Sequence, residues 1–170
     1  MRIFLIGMPG SGKTTIGKSL ARALDYHFVD TDELIIQKES KSIDLIFKDH
    51  GESYFRETER TVLKELTSSE DIVIATGGGT PCFFDNIELM NKTGITIFLD
   101  VSVESLFQRI NAGKNKNRPM VQGKNEQELK AFIQEKYGQR SQFYQQARIK
   151  LKGDAIDHKD VITAVSFIKK

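Results

Sequence analysis

A chain of 170 residues is long enough to bury a substantial core, and a single domain over residues 1–170 is expected. Its formal charge of +2 is too small for nucleic acid or an anionic membrane to be the main partner, and no apolar run approaches bilayer-spanning length. Cys82 is the only cysteine, which excludes an intramolecular disulfide; with nothing that resembles a secretory leader, the expected location is the cytoplasm.

Arg2 to Ile6 is an apolar segment of strand length, and Ile16, Leu20, Ala21 and Leu24 recur at helical spacing, predicting a helix from about Lys13 to Leu24. Gly7-Met8-Pro9-Gly10-Ser11-Gly12-Lys13-Thr14 joins them. A glycine loop between strand and helix is the context of a phosphate-binding P-loop. Gly7, Gly10 and Gly12 let the backbone turn so that successive N–H groups converge on anionic oxygens, and the helix start adds its positive dipole end. Lys13 supplies a full charge for the outer phosphates, and the Thr14 hydroxyl is placed to ligate Mg2+. The loop predicts binding of a nucleoside triphosphate.

His27-Phe28-Val29 reads as a second strand running out into Asp30-Thr31-Asp32. A helix carrying Leu34, Ile35 and Ile36 follows and stops near Ser40. A shorter helical piece covers Ile43 to Lys48, and a longer helix starts near Glu52 with Phe55, Val62, Leu63 and Leu66 on its apolar side. Asp71 to Ala75 is a buried type of strand, broken sharply by Thr76-Gly77-Gly78-Gly79-Thr80-Pro81. A modest helix from Asn86, a strand from Ile95 and a helix with Leu106 and Ile110 come next. Residues 111–125 are polar, basic and nearly free of periodic apolar residues, and read as a mobile lid. Helix returns from Glu126 to about Gln146, then a last strand at Arg148 to Leu151 and a closing helix at Val161 to Ile168. Strands alternating with helices predict an α/β fold: a single-domain, three-layer P-loop architecture with a parallel five-stranded sheet and helices on both faces.

Ligands of open parallel sheets gather at the carboxyl ends of the strands. Asp30 and Asp32 fall at one such end. In extended chain they project from the same side, and beside a magnesium–phosphate site one carboxylate can serve the metal while the other orients a substrate hydroxyl. The plain alternative is that Asp32 caps the following helix. Gly77, Gly78 and Gly79 fall at another strand end and offer bare N–H groups to a close ligand, or form no more than a flexible turn. Arg56 and Glu59, spaced i, i+3, fit an exposed ion pair. They equally fit a bidentate grip by Arg56 on a substrate carboxylate, with Glu59 steadying the guanidinium. Arg118, in the lid, either neutralises charge on a transferred phosphoryl group or belongs to a solvated basic loop.

The P-loop through Thr15 is followed in order by Val29-Asp30-Thr31-Asp32, Gly51-Glu52-x-x-Phe55-Arg56-x-x-Glu59, Ala75-Thr76-Gly77-Gly78-Gly79, Arg118-Pro119 and Arg140-x-x-x-Tyr144. Together these resemble the shikimate kinases, small P-loop kinases related in fold to the nucleoside monophosphate kinases. The resemblance runs from residue 3 to 144; the P-loop alone fits many kinases, whereas the other motifs in that order are far more specific. It implies transfer of the γ-phosphoryl group of ATP to a hydroxyl of shikimate, giving shikimate 3-phosphate on the route to chorismate and the aromatic amino acids. It implies that Gly10, Ser11, Gly12, Lys13, Thr14 and Thr15 hold the phosphates, that Arg109 lies near the adenine and that Arg118 closes over the phosphates. Thr14 and Asp30 would serve Mg2+. Asp32 would meet the substrate hydroxyls, and Arg56, Gly77, Gly78, Gly79 and Arg140 would hold shikimate, with Lys13, Asp32 and Arg118 as the catalytic groups. A monomer binding ATP and shikimate is the expected working unit, with its substrate-binding region at about residues 30–60. Family members usually show Arg-x-Pro-x-Tyr where this chain has Arg140-Ser141-Gln142-Phe143-Tyr144, and leucines where it has Met120-Val121; neither change removes a charge.

Two other functions fit parts of the pattern. A gluconate-type or nucleotide kinase shares the fold; paired arginines suit a carboxylate better than a nucleobase, and only the family pattern separates shikimate from gluconate. A non-catalytic nucleotide-binding switch would keep the P-loop, but Asp32, Arg56 and Arg118 retain the groups that phosphoryl transfer needs.

Overall fold

A computed structural model describes residues 1–112 and 124–168. Five strands, β1 (Arg2–Ile6), β2 (His27–Asp30), β3 (Ile72–Ala75), β4 (Ile95–Asp100) and β5 (Ile149–Lys152), form one sheet in the order β2-β3-β1-β4-β5. Every neighbouring pair is parallel. β1 is central, with Leu5 level with Ala75 on one side and Ile97 on the other. Ile3, Phe4, Leu5 and Ile6 are fully buried, as an unbroken apolar run must be when both faces of a sheet are covered.

The two-residue period of the strands divides the core. Ile3 and Leu5 pack with Ile16 and Leu20 of α1 (Lys13–Leu24) and Val161 and Val165 of α7 (His158–Ile168). Phe4 and Ile6 share the opposite core with α2 (Thr31–Glu39), α3 (Ile43–Leu66), α4 (Asn86–Thr93), α5 (Val103–Ala112) and α6 (Glu126–Tyr144). The chain therefore leaves β1 toward one face and β3 toward the other. The ends of these adjacent strands diverge, and a crevice opens between them.

The α/β architecture and the parallel five-stranded sheet are as expected, while several boundaries are not. Asp30-Thr31-Asp32 is not extended. β2 stops at Asp30, whose Oδ1 accepts the Asp32 N–H at 3.1 Å and caps α2. Asp32 and Glu33 then occupy the first helical turn, where the dipole favours carboxylates. The cap is Asp30, not Asp32. The two pieces expected on either side of Gly51 are the halves of α3, which is kinked there at φ 81° and ψ 176°. α7 begins at His158 because Asp157 Oδ1 accepts the N–H groups of Lys159 and Asp160. The expected lid loses both ends to helices: Asn111 and Ala112 belong to α5, and Asn125 caps α6 through a reciprocal pair of bonds with Glu128. Residues 113–123, with Arg118, lie outside the described residues. No described helix is long and apolar enough to cross a membrane.

Candidate active site

The P-loop occupies the carboxyl end of β1. Gly7, Gly10 and Gly12 have φ of 143°, 85° and 99°, backbone that an L side chain rarely adopts. Gly7 is also close-packed, since a Cβ there would come within 2.9 Å of the Leu99 carbonyl oxygen. Lys13 is buried, and its ammonium donates to the carbonyl oxygens of Gly7 and Met8 at 2.9 and 3.0 Å. Ser11 donates its N–H to the Met8 carbonyl at 3.1 Å, and its hydroxyl is buried without a partner among the described residues. A cavity of about 520 Å³ lies over the loop, lined by residues 9 to 16 together with Asp30, Asp32, Thr76, Gly78, Arg109 and Ile156.

Both aspartates reach this cavity, though not in the way extended chain would bring them. Asp30 Oδ2 accepts the Thr14 hydroxyl at 2.7 Å, so the end of β2 is tied to the P-loop. Asp32 enters from the first turn of α2, and its Oδ1 lies 2.8 Å from where a Cβ on Gly77 would stand. At the far end Arg109 donates to the Gly10 carbonyl at 3.1 Å and to the Asp154 carbonyl at 2.5 Å. The loop after β5 thus contributes Ile156 to the wall, which the sequence pattern did not indicate.

The triple glycine is required by space, not by unusual dihedral angles. A Cβ on Gly77 would lie 2.7 Å from Glu59 Oε1, one on Gly78 would lie 2.8 Å from Pro9 Cδ and 3.2 Å from Arg140 Nη1, and one on Gly79 would lie 2.8 Å from Arg56 Nη1. The Gly77 N–H is taken by the Thr31 hydroxyl at 3.0 Å and is not bare. Consecutive glycines therefore make room for Arg140 at Gly78, which also lines the cavity, and for Arg56 at Gly79.

Arg56 and Glu59 are not an exposed pair: their side chains are 12% and 1% exposed. Arg56 Nη1 donates to Glu59 Oε2 at 3.0 Å, while Nε and Nη2 meet Glu52 Oε1 at 3.2 and 3.0 Å. The Phe83 ring lies 4.0 Å from the guanidinium carbon and the Phe55 ring 5.1 Å, adding cation–π attraction in a half-dry site. Arg140 differs. It is half-buried, and among the described residues no carboxylate pairs with it.

Two supports had been given no role from the sequence. Tyr144, fully buried, donates to the Gly78 carbonyl at 2.5 Å, and burial raises its phenol well above the usual range. Thr80, also fully buried in a short 3-10 turn (Thr80–Cys82), donates to Glu59 Oε1 at 2.5 Å. Burial raises Glu59 above its ordinary value; Arg56 and Thr80 oppose that, and Asp32 reinforces it. The missing proline at Gln142 leaves α6 intact to Tyr144, so Arg140 and Tyr144 stay one turn apart and both reach Gly78.

A phosphate nest on β1, carboxylates at the end of β2 and a crevice between β1 and β3 define a P-loop small-molecule kinase. A sequence model of shikimate kinases matches residues 9–168. The shikimate kinase of Bacteroides fragilis is 44% identical over the whole of this chain and 95% of its own length. The crystal structure of shikimate kinase from Bacteroides thetaiotaomicron superposes with a TM-score of 0.90 at 42% identity, covering 99% of this chain and 96% of that one. That of the Acinetobacter baumannii enzyme, in complex with shikimate, gives 0.87 at 33% identity, covering 99% and 92%. The chain belongs to the shikimate kinase family.

Proposed function

We propose that the chain transfers the γ-phosphoryl group of ATP to a hydroxyl of shikimate, producing ADP and shikimate 3-phosphate. Family membership supports the reaction, and one observation supports the acid: Arg140 is half-buried beside Gly78 with no carboxylate partner among the described residues. A small ring bearing one carboxylate completes that charge, with Arg56 beside Gly79 as the second donor.

The remaining roles follow from position. P-loop N–H groups and the α1 dipole hold the phosphates, and Lys13 moves its ammonium from loop carbonyls to the outer phosphates. Arg109, anchored on Gly10, is proposed to lie near the adenine. Asp32 accepts the proton of the attacking hydroxyl, or orients it, while the oxygen bonds to the γ-phosphorus and the bond to the ADP oxygen breaks. Thr14 and Asp30 fit Mg2+: they present hydroxyl and carboxylate oxygens 2.7 Å apart on the cavity wall. Among the described residues there is no cluster of three acidic, His or Cys ligands, which suits an ion held by few protein ligands and by phosphates. When bound, Mg2+ neutralises charge on the β- and γ-oxygens.

Arg118 is proposed to close over the phosphates. A cytoplasmic monomer is proposed as well, the single thiol suiting a reducing compartment. A coupled assay of ADP release with shikimate, gluconate and nucleoside monophosphates tests the reading. Turnover with shikimate alone is expected, and turnover with gluconate alone would assign the chain to the neighbouring chemistry.

A further inference from the structure

Glu59 is the buried carboxylate behind the acid end of the site, and its two oxygens have different partners. Oε2 accepts from Arg56 at 3.0 Å, and Oε1 accepts from the Thr80 hydroxyl at 2.5 Å. Thr80 cannot drift, because its N–H donates to the Gly77 carbonyl at 3.2 Å and its own carbonyl accepts from Asn86 Nδ2 at 2.9 Å. The hydroxyl is thus fixed by backbone contacts at both ends and aimed at one carboxylate oxygen. Resting on the reading of Arg56 as an acid-binding group, we infer that Thr80 is a positioning residue for phosphoryl transfer to shikimate: its hydroxyl fixes Glu59, and Glu59 fixes Arg56 against Gly79.

The charges around Glu59 make that hydroxyl consequential. Arg56 faces it from α3, Asp32 from α2, and Thr80 and Cys82 from the 3-10 turn. Burial and Asp32 both favour the protonated acid, whereas Arg56 and the Thr80 hydroxyl favour the carboxylate. Removing the hydroxyl removes one of the two groups that keep Glu59 ionised. A protonated Glu59 is no longer a charged partner, and Arg56 is left with Glu52, which is 59% exposed. The guanidinium then loses its fixed direction toward the acid.

Thr80→Val keeps the shape and deletes the donor, Thr80→Ser keeps the donor, and Thr80→Ala deletes donor and methyl together. In Thr80→Val and Thr80→Ala the KM for shikimate should rise roughly tenfold near neutral pH, with the KM for ATP within about twofold of wild type. The pH below which acid affinity fails should also move upward, and Thr80→Ser should restore both properties. Carboxyl-carbon NMR of Glu59 supplies a readout that needs no substrate: its titration midpoint should rise in Thr80→Val and Thr80→Ala and not in Thr80→Ser. Wild-type shikimate KM and an unmoved Glu59 midpoint in the donor-deleted variants would overturn the inference. So would a fall in Tm with no change in the pH profile, which is what a merely structural hydroxyl gives. A wild-type protein inert toward shikimate refutes the proposed function instead, and the NMR titration still decides whether Thr80 governs Glu59.

Discussion

Thr14 and Asp30 are joined by a 2.7 Å hydrogen bond from the threonine hydroxyl to Oδ2. The other oxygen of Asp30 holds the Asp32 N–H, so one carboxylate sets both the edge of the phosphate site and the start of α2. Asp32 is thereby placed through its backbone, and its side chain can be altered without disturbing the cap.

Asp32→Asn should therefore leave nucleotide affinity close to wild type while slowing turnover by about 10²- to 10⁴-fold, the range for a general base or hydroxyl-orienting group. Asp30→Ala should differ: loss of the cap costs about 1 kcal/mol of stability, and Asp32 loses its anchor. Calorimetric titration of nucleotide beside kcat separates the two. Unchanged kcat in Asp32→Asn would remove it from the chemistry.

Arg56 and Arg140 should fail in different ways. Replacing either with alanine should cost about 2–5 kcal/mol of shikimate binding and hardly move nucleotide binding. Only Arg56→Ala should also lower stability, by about 3–5 kcal/mol, because it strands the buried Glu59. Lysine at position 56 should rescue partly, since a point charge lacks the planar fork. Shikimate titrations and denaturant unfolding check this; full acid affinity in both alanine variants would contradict the carboxylate assignment.

The raised Glu59 makes acid binding and stability respond to pH in opposite directions. As pH falls through its raised value Glu59 is protonated, Arg56 loses its partner, and the shikimate KM should climb. The folded state holds that proton more tightly than the unfolded chain. Its contribution to stability is therefore full below the unfolded value and is lost as pH rises through the folded one. Unfolding free energies of wild type and Glu59→Gln, compared from about pH 4 to pH 7, should diverge in favour of glutamine as pH rises. A constant difference would argue against a raised Glu59.

Cys82 should be a poor nucleophile. Burial is the largest influence on the thiol, pushing it up to about 11 despite the nearby Arg140 and Arg56. Alkylation near neutral pH should run about two orders of magnitude slower than for a free thiol, and a rate like that of glutathione would refute the assignment.

Much of this was legible in the sequence because the signals were local. A strand-length apolar run, a glycine loop and a helical repeat define the P-loop and β1 without reference to anything distant. Boundaries fell where side-chain caps outrank apolar periodicity, as at Asp30 and Asp157, which start helices earlier than their first apolar residues suggest. The triple glycine was legible for only part of its reason: the Gly77 N–H is taken by Thr31, and the room that Glu59, Arg140 and Arg56 need is what the structure adds. The hydrogen bonds of Thr80 and Tyr144 carried no local signal, because their partners lie 21 and 66 residues away.

Gly51 is a position that reads handedness and not size. Its φ of 81° excludes an L side chain, yet a Cβ there would meet nothing within 4 Å. L-alanine should therefore strain the kink by about 1–3 kcal/mol. A D-alanine introduced by chemical ligation meets no such penalty and restricts the unfolded chain, a stabilisation of about 0.4–1 kcal/mol. The break that sets the second half of α3, with Arg56 and Glu59, at its own angle can thus be stiffened by inverting one stereocentre, with no atom added to the acid end of the site.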